Sequence, residues 1–317
     1  MTRQGVSVIF YIMSTTKSIY KESVFFALKS AIFNPILRPA FLKCAPSIVY
    51  NFFLRQYHGA FFKRIPVSAV DHLLDEKIPF VPSWVTIYLD FVFYWIRMLS
   101  FLLKNYKRRA LIPVRDFIFS MGELYAFAAQ VYSKNLSTTK RPFYIATPRF
   151  FLIHLVDPHL MCVPSLHVMV VVLAYTKFSQ IAKELGEGEN LKEQIQEMRQ
   201  GALAITSAIL YIKQHSVNCV PAALYAMTCF APDIFPKSEA EAFISDLFSP
   251  PPSLETCPHG CRVHPATSPA TKLHVADKDL VKEHILTLYR RFLSERDPQK
   301  PWNEPILRFL SVLRDSK

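Results

Sequence analysis

KNLSTTKRP (residues 134–142), CVPSLH (162–167) and YIKQHSVNC (211–219) are three short polar clusters, each set beside an apolar run. They carry Lys134 and Arg141, then Ser165 and His167, then Lys213 and His215. Phosphate ester hydrolysis is very slow unaided, so a catalyst must neutralise the non-bridging oxygens, supply a nucleophile and protonate the leaving oxygen. Arg141 can grip phosphate oxygens bidentately and Lys134 can act as a point charge. The Ser165 hydroxyl and the backbone N–H groups of a helix starting after Pro164 suit an anion. One imidazole can attack phosphorus while the other serves as general acid. The set is complete without a metal or a cofactor. Each piece also has a plainer reading: the two cations as membrane-interface anchors, Pro164–Ser165 as a helix start, and each histidine as a hydrogen-bonded core residue.

The surrounding sequence reads as membrane protein. Of 317 residues, 51% are hydrophobic and 20% charged, and the mean hydropathy is +0.17. The apolar residues collect in runs of 14 to 21, several near the length that crosses a hydrocarbon core of about 30 Å. The net charge of +12 comes without stacking aromatics on a basic stripe or any binding motif, which argues against nucleic acid. Basic residues in short loops beside apolar runs are topological signals instead. The six cysteines do not form the pattern of a secreted disulfide framework. The VSVIFYIM run near the N-terminus is short and lacks the cleavage site of a secretion signal.

The fold expected is all-α, a polytopic bundle of about five to six transmembrane helices with a short soluble C-terminal tail. Residues 1–62 read as an amphipathic membrane segment, interrupted by Lys29, Arg38, Lys43 and Arg55, able to lie in the interface or to hold one crossing between Val24 and Phe62. Residues 63–232 read as the membrane bundle. Residues 233–275 read as a Pro- and Ser-rich linker and 276–317 as a helical tail, with Leu280, His284, Leu288 and Phe292 at helical spacing after an Asp277 cap. Cys257, His259, Cys261 and His264 match no strong zinc pattern and read as loop. Asp90, Arg97, Arg115, Asp116 and Glu123 fall inside apolar runs, so they are expected to face the bundle interior, in pairs. If the basic cluster Lys104–Arg109 is cytoplasmic, alternate crossings bring all three polar clusters to the extracytoplasmic face and leave the tail cytoplasmic.

K-x6-R-P, then P-S-x-H, then a histidine at a helix end resembles the type-2 phosphatidic acid phosphatase superfamily of membrane lipid phosphatases and phosphotransferases. DEKIPFVPSW (residues 75–84) also resembles the segment before an early membrane helix in that superfamily. The resemblance covers roughly residues 66–232. It implies a six-helix membrane bundle with an outward-facing site. His215 would be the nucleophile that forms a phosphohistidine, and His167 the general acid. Lys134, Arg141 and Ser165 would bind phosphate, Lys213 standing in for an arginine. The substrate would be a phosphorylated amphiphile: phosphatidic acid, a prenyl diphosphate or a sphingolipid-type headgroup donor.

Two positions depart from the pattern. Leu166 replaces a glycine, a mild change. Cys219 stands where the superfamily carries the aspartate, four residues after the nucleophile, that fixes the tautomer of the ring. In the serine-protease triad, exchanging such a carboxylate for its amide lowers the rate about ten-thousandfold. Asp157 is a candidate substitute. The competing expectation is a membrane protein that keeps the phosphatase fold as a binding or structural module. A transporter or channel reading rests only on the intramembrane charges.

Overall fold

The computed structural model describes residues 18–249 and 273–316. The VSVIFYIM run and the Cys257–His264 loop lie outside the described residues. In chain order the helices are α1 (Val24–Phe33), α2 (Arg38–Ile48), α3 (Arg55–Phe62), α4 (Leu74–Lys77), α5 (Val85–Leu89), α6 (Phe91–Tyr106) and α7 (Leu111–Tyr132). They continue with α8 (Pro148–Val156), α9 (Leu166–Glu184), α10 (Lys192–Tyr211), α11 (Cys219–Phe230), α12 (Lys237–Ser245), α13 (Val275–Ser294) and α14 (Glu304–Asp315). The strands β1 (Val67–Ala69) and β2 (Leu136–Thr138) pair in parallel, Val67 opposite Leu136. The all-α expectation holds at this level.

α9 is the axis of the bundle. Its sequence VMVVVLAY is apolar all round, and a helix of that kind is sheathed by protein or lipid on every side. Here α6, α7, α10 and α11 surround it, and every residue from Leu166 to Thr176 is buried. Outside this core, α1 packs on α6, α2 on α7 and α13 on α11. Polar connectors gather at one end. β1 and β2 bring residues 67–69 and 136–138 together, and a further bridge joins Ser137 to Met161. The Ser137 hydroxyl then accepts the Val163 N–H at 2.7 Å, which fixes the entry into α9.

Several expectations change on packing. Pro82–Tyr132, 51 residues that take in α5, α6 and α7 and turn at Lys107 (φ 49°), is the single helical stretch among the described residues that is long and apolar enough to cross a membrane. From Asp157 to Ser249 no described large apolar side chain is exposed. Asp90 and buried Arg97 pair with each other, as interior charges should. Arg115 and Asp116 also pair, at 2.7 Å, but their side chains are 35% and 54% exposed, so they do not face the interior.

Residues 237–245, read as irregular linker, form α12, tied to α10 by Arg199–Asp246 at 2.5 Å. The tail belongs to the bundle. α13 begins two residues before Asp277, and its inner face is Val281, Ile285, Tyr289 and Phe292 rather than exposed Leu280. α14 lies on β1, where Ser68 donates to the Leu310 carbonyl at 2.7 Å. The tail therefore sits at the same end as the polar connectors.

The sequence has only 7 glycines, and Gly122 shows where one is required. A Cβ there would lie 3.0 Å from the Cys44 backbone, at the closest approach of α7 to α2. Gly122→Val is expected to lower stability by about 2 kcal/mol through overpacking; thermal unfolding of the two proteins checks this.

Candidate active site

The entry to α9 supplies Ser165 and His167. Ser165 occupies the N-cap position, yet its side chain makes no capping bond. Its Oγ lies 3.5 Å from His215 Nε2 instead. His215 sits in the turn between α10 and α11, and its Nε2 is 3.3 Å from His167 Nδ1. His167 is held between two rings, Tyr88 stacked at 4.5 Å and Phe91 tilted at 4.3 Å. All three groups are buried. Residues 50 positions apart thus meet around one nitrogen, and the helix-start and core-histidine readings miss that convergence.

Arg141 reaches the same turn. It donates to Gln214 Oε1 at 3.2 Å and to the Asp157 carbonyl at 3.0 Å, and lies 3.9 Å from Asp157 Oδ2. Asp157 accepts the His159 N–H at 2.9 Å and lies 3.8 Å from His159 Nδ1. His159 is buried in a left-handed backbone conformation (φ 61°), its ring 6.5 Å from that of His215. Asp157 and His159 form a second acid–imidazole pair behind the first two histidines. The signal was legible as Asp-x-His just before CVPSLH, but only the fold shows that it faces this turn.

Two predicted ligands lie elsewhere. Lys134 is exposed at the end of α7, with no polar partner for its ammonium among the described residues. Lys213, expected on phosphate, donates instead to the carbonyls of Asp75 and Ile78. Burial holds that ammonium below the usual lysine range, with Asp75 and Glu76 opposing. Lys213 has φ 56°, which turns the chain back toward the connector and directs its side chain there. Asp75 completes the clamp, accepting Val217 N–H and His72 N–H at 2.8 Å each. Burial raises the Asp75 carboxyl against the bonds from Val217, Ser216 and His72.

The position left open by Cys219 has a structural counterpart. Buried His215 Nδ1 has no hydrogen-bond partner of good geometry among the described residues. Asp157 does not substitute, because its oxygens are taken by His159 and Arg141. Burial, with the His167 and His159 rings alongside, holds His215 well below the usual histidine range, opposed by Asp157 and the Cys162 backbone. The ring is therefore neutral at pH 7, with a lone pair available on one nitrogen.

The Asp157 pair makes a pH prediction. Burial alone raises this carboxyl, but His159 and Arg141 hold it down from 3.8 to about 2. A depressed carboxyl stabilises the fold fully above its unfolded value and loses that contribution as pH falls through its folded one. Asp157→Asn is expected to remove about 2 kcal/mol at pH 7 and to flatten the acid limb of stability between pH 4 and 2. Denaturant titrations at pH 7, 4 and 2 check it.

Comparison of the chain with the models of known protein families, with curated proteins and with solved structures gives no match.

Proposed function

We propose that the protein is a membrane-associated lipid phosphatase or phosphotransferase acting on a phosphorylated amphiphile through a phosphohistidine, as a divergent relative of the type-2 phosphatidic acid phosphatases. The observation that carries this is the approach of Ser165 Oγ and His167 Nδ1 to one nitrogen, His215 Nε2. In the first step the Nε2 lone pair attacks phosphorus, the ester P–O bond breaks, and His167, which burial holds down to about 4 before substrate binds and which the phosphate anion recharges, gives its proton to the leaving oxygen. In the second, water or a lipid alcohol attacks phosphorus, returns its proton to His167, and the P–N bond breaks. Arg141, Ser165 and the first N–H groups of α9 offset the phosphate charge. The membrane arrangement is proposed with Pro82–Tyr132 as the stretch suited to crossing.

The unpartnered His215 Nδ1 favours a second reading, a site that binds phosphate without turning it over. Phosphate release from lipid phosphates and prenyl diphosphates in detergent micelles, together with an acid-labile phosphoprotein assay, separates the two. Turnover by the wild-type chain supports the enzyme. In that case Cys219→Asp, which restores the carboxylate that the resemblance implies at this position, is expected to raise the rate at least tenfold. Turnover only in Cys219→Asp supports the second reading. No turnover in either, in hydrolysis and transfer assays alike, removes the enzymatic proposal.

A further inference from the structure

The first described wall of the molecule has an unusual charge and apolar pattern. From Ser23 to Val70 there are six Lys and Arg and no Asp or Glu. None of the six cations enters an ion pair among the described residues. The helical run from α2 through α3 buries Ala40, Cys44, Gln56 and Gly59 against the bundle. Its opposite stripe recurs every three or four residues at Leu42, Pro46, Val49 and Phe53 and resumes two turns on at Phe61, all exposed. α1 adds Phe25 and Phe33, 78% and 72% exposed, on the stripe that carries Lys29.

This is an inverted surface: the outward face is the apolar one. Among the described residues, twelve of the 25 exposed large apolar side chains lie within residues 25–62. α13 and α14 are the reverse. There the outward cations of α13 and α14 are neutralised in ion pairs, Arg290 with Glu241, Arg291 with Glu295 and Arg308 with Glu304.

We infer that the α1–α3 wall docks in the plane of a bilayer surface bearing anionic lipid. A helix rich in Phe and Leu on one face, with Lys and Arg along its borders, lies at the headgroup boundary rather than crossing. Lys43 and Arg55 interrupt the α2–α3 run at intervals too short for a spanning segment. A second copy of this chain is a poor occupant, because the same face would bring six more cations against the first six. The inference does not depend on phosphoryl transfer.

The test is flotation of the full-length protein with vesicles of phosphatidylcholine alone and with added phosphatidylglycerol, at low and raised salt. Binding should rise with phosphatidylglycerol and fall with salt. Lys29→Gln with Arg38→Gln should weaken it roughly 30-fold, at about 1 kcal/mol per cation. The pair Arg290→Gln with Arg308→Gln, cations already neutralised in ion pairs, should leave it unchanged. Unchanged melting temperatures show that both variants are folded. Equal partition into both vesicle types, insensitive to salt and to Lys29 and Arg38, overturns the inference in favour of simple insertion in hydrocarbon. Absence of vesicle binding also overturns it, in favour of an acidic protein partner.

Discussion

His215→Ala is expected to abolish phosphoprotein formation and to lower phosphate release by about 10⁴-fold or more, with little change in substrate binding. Both halves of the proposed reaction pass through Nε2, so no neighbouring group inherits the role. Arg141 and Ser165 would still hold the anion, which leaves KM nearly unchanged while kcat falls. His167→Ala should behave differently. It removes the proton donor but not the nucleophile, so the phosphoprotein still forms from substrates with good leaving groups, such as an aryl phosphate. Quench-flow detection of the phosphoprotein in both variants checks the assignment. Equal loss of labelling in both would mean that the two rings act only as a structural pair. Because burial and the adjacent rings depress His215, the acid limb of the wild-type rate should lie well below the ordinary histidine value near 6.5.

Asp75→Leu should lower both stability and rate without touching substrate. Asp75 accepts the N–H of Val217, two residues beyond the nucleophile, and lies beside the Lys213 ammonium that bonds the Asp75 and Ile78 carbonyls. Removing the carboxylate leaves a half-buried ammonium and a backbone N–H without their partner. Loss of one member of such a cluster costs about 3 kcal/mol, seen as a shifted denaturant midpoint. Displacement of the His215 turn by as little as about 1 Å should lower kcat about 10²-fold. Asp75→Asn keeps one acceptor oxygen for Val217 and should lose only about 1 kcal/mol, with most of the activity retained. The split between the two variants distinguishes a positioning role from a general effect of the segment on folding.

The residue types and order in the three clusters were enough to single out Ser165, His167, His215 and Arg141, because each sits beside a sharp change in hydropathy that marks a helix end. The helical class, the all-round burial of α9 and the helix after residue 275 follow from periodicity in the same direct way. The ligand roles expected of Lys134 and Lys213 were not fixed by spacing. A long cation can reach solvent, a phosphate or a backbone carbonyl from the same position, and the φ of 56° at Lys213 directs it to the 75–78 connector. Asp157 was legible as a candidate substitute for the missing aspartate, whereas Asp75 and His159 join the candidate site through tertiary contacts, Asp75 with the Val217 N–H of the His215 turn and His159 with the His215 ring. Local sequence carries no record of such contacts. The membrane arrangement shows the same division. Composition identified an apolar chain, since total hydropathy is a sum over residues. Which face is apolar depends on what covers each helix: α13 shields α11, and α1–α3 remain uncovered. That is decided by packing alone.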